Sequence, residues 1–189
     1  MLAYRTGQYV TNSSSEEDKE AIALIEAAGE EVRKLAMINA VDKNFYQYLG
    51  LQGFKRYHRY EAREYFEFSM CLDCLLIDHY GVQPMYKDVP FIPSTKTAIM
   101  ERMQDFINAL EEILDKMNHV KTRLVELNHH FAAEYIQKII CENENDLKHA
   151  YRCFNYAKDV GGQMKDLHSY SECMCEKYRK KEKECHNRD

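Results

Sequence analysis

Between Phe54 and Leu75 the apolar positions Phe54, Tyr57, Phe68, Leu72 and Leu75 recur at steps that fit one helical face. Glu61 and Glu64 fall in the same register, inside Tyr60-Glu61-Ala62-Arg63-Glu64-Tyr65-Phe66-Glu67, so two carboxylates point where a core is expected. Burying a carboxylate is costly unless it is paired, hydrogen-bonded or bound to a metal.

The same periodicity runs through most of the chain. Ile22, Ile25, Ala28, Val32, Leu35 and Ala36 form the stripe of a first helix that ends near Val41. It opens in Ser13-Ser14-Ser15-Glu16-Glu17, where Ser14 and Glu17 have capping-box spacing. Asp42-Lys43-Asn44 and Gly50 bracket a crossing segment. A second helix follows from about Gln52 to Tyr80 and is stopped by Gly81. All three prolines lie between Gln83 and Ser94, in a loop long enough to join parallel helices. Ser94 or Thr95 opens a third helix with the stripe Ile99, Met103, Phe106, Leu110, Ile113, Leu114, Met117, Val120 and Leu124. A break is expected near Asn128-His129-His130, and the fourth helix then carries Tyr135, Ile136, Ile139, Ile140, Leu147, Ala150 and Phe154. Gly161-Gly162 ends it. Met164, Leu167, Tyr170 and Met174 begin a last helix that dissolves into the charge run Arg179-Lys180-Lys181-Glu182. The predicted fold is all-α: a four-helix bundle with one long crossover loop and a short fifth C-terminal helix. Residues 1–13 read as a flexible N-terminal segment, 14–160 as the bundle, and 161–189 as the C-terminal helix and charged, Cys-containing tail.

Composition narrows the function. The 189 residues suit one domain with a real core, and only 7 Gly and 3 Pro favour long uninterrupted helices. A net charge of −5 gives no support to a nucleic-acid-binding face. No window approaches the roughly 20 apolar residues of a membrane span. Met1 to Ser15 has no signal-peptide pattern, so a cytoplasmic protein is expected. The 7 cysteines, an odd number, point to reduced thiols. Cys71 and Cys74 are expected to act as small buried hydrophobes, whereas Cys173, Cys175, Cys185 and His186 form a candidate metal or redox group. His58 reads as a satisfied core residue, and His129 and His130 as caps or solvent-facing groups. The tyrosines read mainly as packing residues with a polar tip.

The acids are the chemistry. Besides Glu61 and Glu64, Glu26 adjoins Ile25, Glu111 adjoins Leu110, and Glu142 with Asn143 and Glu144 lies near Ile139. One or more acids per helix near mid-length is what a di-metal site in a bundle core needs, and oxygen donors suit hard cations such as iron. The alternative is that Glu26, Glu111 and Glu142 sit at stripe edges and reach solvent. Asp146 with His149 offers a rival Asp-x-x-His pair on the fourth helix.

The order of these segments resembles the ferritin family from about Ser14 to Glu176. Glu61-Ala62-Arg63-Glu64-Tyr65-Phe66-Glu67 resembles the family's Glu-Glu-Arg-Glu-His segment, with Lys87-Asp88-Val89 matching in the long loop. Ala109-Leu110-Glu111 resembles the third-helix ligand segment, and Glu142-Asn143 the Glu-Gln pair of the fourth. The first-helix glutamate falls on Glu26, 35 positions before Glu61 (61 − 26) as in the family. Two departures stand out. The family's second-helix histidine falls on Glu64, or, one residue later in register, the two ligand positions fall on Ala62 and Tyr65. Its first-helix tyrosine has no counterpart in Val32-Arg33-Lys34.

The resemblance implies an iron-binding and storage protein with a di-iron site of Glu26, Glu61, Glu64, Glu111 and Glu142, oxidising ferrous iron if that site is intact. It also implies a homo-oligomeric shell. Two further readings are a catalytically silent shell subunit and a Dps-type mini-ferritin protecting against iron and peroxide, the latter suggested by Phe54 and His58. In the larger ferritins a fifth helix lies at a symmetry axis, which favours a 24-mer over a 12-mer. Those shells would weigh about 540 and about 270 kDa for a 22.4 kDa chain.

Overall fold

The structure is a computed structural model that describes residues 15–84 and 94–186. The N-terminal segment, Ser14, Lys87-Asp88-Val89, Pro90 and Pro93 lie outside the described residues. Five helices follow in chain order: α1 (Glu16–Tyr48), α2 (Gln52–Tyr80), α3 (Ile99–Glu126), α4 (His130–Asp159) and α5 (Met164–His186).

Local chemistry explains most of the boundaries. Ser15 caps α1 in a capping box: its Oγ accepts from the Asp18 amide at 3.0 Å, and Asp18 Oδ2 accepts from the Ser15 amide at 3.2 Å. Helix α1 then overruns the expected end near Val41 and continues to Tyr48. The reason is tertiary. Asp42 is buried and accepts a hydrogen bond from Arg102 Nε of α3 at 2.5 Å, so it does not compete for the local backbone. Gly50, at φ 73°, makes the turn instead. Gly81 ends α2 in the left-handed region, as its position predicted. Helix α3 begins at Ile99, later than expected, because Ser94 is engaged elsewhere: its hydroxyl donates to Asp105 Oδ2 at 2.6 Å and its carbonyl accepts from Arg102. The break before α4 falls at Asn128, whose φ is 63°. The charge run at 179–182 lies within α5, which continues to His186.

Ion pairs fix the helix directions. Asp42–Arg102, Glu31–Lys116 and Glu20–Arg123 join α1 to α3 in antiparallel sense. Since the Asn39–His58 and Arg33–Asp73 contacts make α1 antiparallel to α2 as well, α2 and α3 run parallel, as the long connection predicted. Helix α5 packs along α2. It buries Leu167, Ser171, Met174 and Tyr178. The N-terminus of α2 has no side-chain cap of its own, and Ser171 Oγ of α5 accepts from the Gly53 amide at 2.7 Å. A residue 118 positions away thus satisfies a helix-end donor.

Candidate metal centre

Helix α2 presents Tyr57, Glu61, Glu64 and Tyr65 on one face, and α4 presents Asn143, Asp146 and His149 at three-residue steps. The two sets meet. Tyr65 donates its O–H to Asp146 Oδ2 at 2.7 Å, and Tyr57 reaches Asp146 Oδ1 at 3.4 Å. The Glu61 carboxyl lies close enough to Glu64 and Asp146 for the three acids to shift one another's titration. Glu61 is 2% exposed and Asp146 8%, so this is a buried acid cluster rather than a surface one. The His149 ring lies 4.7 Å from that of Tyr57 and 5.9 Å from that of Tyr178. Over the outer side, the Lys181 ammonium sits 4.6 Å from the Tyr60 ring centroid and 5.5 Å from that of Tyr178.

Burial sets the electrostatics. It pushes the Asp146 carboxyl up to about 6, against the opposing hydrogen bond from Tyr65 and the opposing influence of Glu61. Burial, reinforced by the charges of Asp146 and Glu64, holds Glu61 well above the usual carboxylate range. Glu64 is raised by burial too. His149 is pushed down to about 4 by burial, helped by the cations Lys177, Arg152 and Lys181, so its ring is neutral at pH 7. Beside these groups Asn143 is fully buried, and neither its Oδ1 nor its Nδ2 has a hydrogen-bond partner. Leaving a buried polar group unpaired costs roughly 1–3 kcal/mol. Asn143 lies one turn before Asp146 and calls for something to bind.

The structure brings together part of the expected ligand set. Glu61 and Glu64 are adjacent, and half-buried Glu142 lies near enough to Glu64 to help raise it. Glu111 is exposed and accepts a hydrogen bond from Tyr151 of α4. Glu26 is half-buried on α1. The Asn39–His58 contact sets Glu61 level with Ala36, ten residues from Glu26, which is about 15 Å along the helix. Asp146, weighed in sequence only as half of a rival pair, is the acid the other groups surround. Of the second-helix alternatives, Tyr65 is buried on Asp146, Glu64 is half-buried against Glu61, and Ala62 brings no donor.

Other candidates separate cleanly. His58 is a buried core residue whose Nδ1 lies 2.8 Å from Asn39 Oδ1. His129 precedes α4 and pairs with the Tyr80 hydroxyl at 2.9 Å, while His130 is exposed. Cys71 and Cys74 are exposed, against expectation, and line a groove of about 550 Å³ with Met70, Phe131 and Tyr135. Their side of α2 is left uncovered by α5, which accounts for their exposure. No described helix is long and apolar enough to cross a membrane. Among the described residues, no group of three or more His, Cys, Asp or Glu side chains is arranged to hold a metal ion. The donors at Glu61, Glu64 and Asp146 fit a hard cation in kind, being clustered carboxylate oxygens beside an orphaned amide.

No protein-family model matches the chain, and no curated protein matches its sequence. Solved structures do. An open-pore ferritin from the hyperthermophilic archaeon Archaeoglobus fulgidus superposes with a TM-score of 0.76 at 12% identity, over 86% of this chain and 98% of that one. A form of the Archaeoglobus fulgidus ferritin engineered to be closed gives 0.75 at 12% identity, over 86% and 97%. The fold is that of the ferritins. Within that ferritin fold Glu61, Glu64 and Asp146 gather on the seam between α2 and α4, while the buried Asp42 and Asp73 are paired with Arg102 and Arg33. At the height of the seam acids α1 and α3 supply the buried apolar side chains Leu35, Ala36 and Leu110.

Proposed function

We propose that this chain is a ferritin-like iron-binding subunit that takes ferrous iron as cargo at Glu61, Glu64 and Asp146, with Glu142 at the rim. The observation that carries the reading is the buried acid cluster beside Asn143, an amide with no partner, inside a ferritin fold. Carboxylate oxygens attract a hard divalent ion and neutralise it, and burial strengthens that attraction. Tyr65 and Tyr57 hold the Asp146 oxygens in place, and neutral His149 offers one nitrogen donor nearby. Assembly into a shell of like subunits belongs to the same proposal. The exposed apolar side chains Phe66, Met70, Ile77 and Phe131 on the outer faces of α2 and α4 support it, since such surface favours association.

Anaerobic calorimetric titration with Fe²⁺ should find about one ion per chain, and Glu61→Gln with Asp146→Asn should weaken binding about 100-fold or more. Equal affinity in the double variant would end this assignment. Two ions per chain, with loss of the second in Glu26→Gln or Glu111→Gln, would instead support oxidation at a di-iron site of Glu26, Glu61, Glu64, Glu111 and Glu142. Light scattering on the same sample reads the assembly: about 540 kDa for 24 copies, about 270 kDa for 12, and a monomer would count against storage.

A further inference from the structure

Leu167, Ser171, Met174, Tyr178 and Lys181 are spaced four, three, four and three apart, so they form one face of α5. The first four are buried, and this face packs on α2. The contact is close: Gly53 and Ser171 touch backbone to backbone, and Arg56 Nε reaches Cys175 Sγ at 3.2 Å. Lys181 is therefore not a loose surface cation. Its register is that of the packed face, the residue is half-buried, and its ammonium lies over the rings of Tyr60 and Tyr178. Tyr60 in turn donates towards Glu64 Oε1 at 3.5 Å, and Tyr178 packs on Tyr57, which touches Asp146. The ammonium thus stands at the outer side of the acid cluster, and its charge acts on Glu61, Glu64 and Asp146 alike. Of the cluster's other described neighbours, Glu142 is an acid, His149 is neutral, and the charge of Lys177 is felt at His149 and Cys153.

We propose that Lys181 is the resident counter-cation of the Glu61, Glu64 and Asp146 cluster, which an entering divalent ion must displace, so that α5 sets the threshold for ion entry. The entry half rests on the reading that the cluster takes metal ions. A buried group of acids needs compensating positive charge, and an ammonium on a flexible stem supplies it without a fixed ligand geometry. The same ammonium repels a second cation, so affinity is lowered while Lys181 is in place.

Two independent measurements on the full chain test this. In metal-free protein at pH 7, Lys181→Met should lower the unfolding temperature by about 3 °C, and clearly less in a Glu61→Gln background, where fewer acids need the cation. An equal loss in both backgrounds would overturn the pairing. In calorimetric titration with Co²⁺, Lys181→Met should bind about ten-fold more tightly than wild type, while Lys181→Arg keeps the charge and the wild-type affinity. Unchanged or weaker binding in Lys181→Met would overturn displacement. Should Co²⁺ bind neither protein, the metal reading and the entry half fall together, and the metal-free coupling alone decides whether Lys181 is the counter-cation.

Discussion

Gly53→Ala should drive α5 off α2. A Cβ at position 53 would lie 1.8 Å from the Ser171 carbonyl oxygen, 2.7 Å from its carbon and 2.8 Å from Met174 Cβ. Two of these atoms are backbone, so no rotamer change relieves the clash and the helix as a whole must move. Overfilled contacts usually cost about 1–3 kcal/mol, and a backbone collision belongs at the top of that range or above it. An expected loss of about 3 kcal/mol corresponds to a fall of roughly 6–12 °C in unfolding temperature for a domain of this size. Ser171→Ala removes only the hydroxyl that accepts from the Gly53 amide, and should cost about 1 kcal/mol as other lost helix caps do. Hydrogen exchange distinguishes local from global damage: in Gly53→Ala the amides of 167–181 should lose protection first. A variant as stable as wild type, with α5 still protected, would show that the close approach of α2 and α5 is wrong. Because the displaced helix carries Lys181 and Tyr178, the same variant should also bind Co²⁺ more tightly wherever it remains folded.

This coupling between a helix contact and an ion site was only partly legible in the sequence. Gly81 and Gly161-Gly162 announced where α2 and α4 stop, because a left-handed residue is a local requirement. The apolar stripe of α3 was legible for the same reason, and its members from Met103 to Leu124 are buried except half-buried Leu114. The length of α1 was not, because what keeps Asp42 helical is a guanidinium 60 residues away. Glu61 announced itself by falling on an apolar stripe. Asp146 did not, since its importance comes from Tyr65 and Tyr57, which lie 81 and 89 residues earlier. Lys181 lies in the charge run into which the sequence lets the last helix dissolve, although its spacing from Tyr178 and Met174 continues the buried face of α5. Periodicity carried that information, and the surrounding charges concealed it.

Glu111 and Glu26 make the complementary point. Each adjoins a core residue, Leu110 and Ile25, yet a helical step of about 100° turns the neighbour of a core position towards the flank. Glu111 accordingly reaches outward to Tyr151. Matching the order of acids along the chain to a family pattern does not fix which seam of the bundle they occupy. Here the seam is that of α2 and α4, and α5 lies against it.

Acid should destabilise the protein through its neutral histidines, buried His58 and half-buried His149, and the share of His58 can be isolated. The His58 ring is 2% exposed, stacked on Tyr46 at 5.0 Å and edge-on to Phe106 at 4.8 Å. Nδ1 lies 2.8 Å from Asn39 Oδ1, and Asn39 Nδ2 donates to the Leu35 carbonyl at 3.1 Å, so the ring serves Asn39 as a neutral donor. Burial pushes its pKa down to about 3, with the positive charges of His149 and Arg102 adding to the effect. An unfolded histidine titrates near 6.5. Between those values the unfolded chain binds the extra proton and the folded one does not, so stability falls as pH falls. It is fully present above about 6.5, and each unit below removes about 1.4 kcal/mol, or about 3 kcal/mol by pH 4. Replacing both partners, His58→Leu with Asn39→Leu, leaves no orphaned polar group and should cost little at pH 7. His149 and the buried carboxyls titrate alike in both proteins, so the difference between their urea-unfolding curves isolates His58. That difference should shift in favour of the double variant by about 3 kcal/mol between pH 7 and pH 4. Curves that stay parallel across that range would mean that the His58 ring accepts its proton without leaving the core.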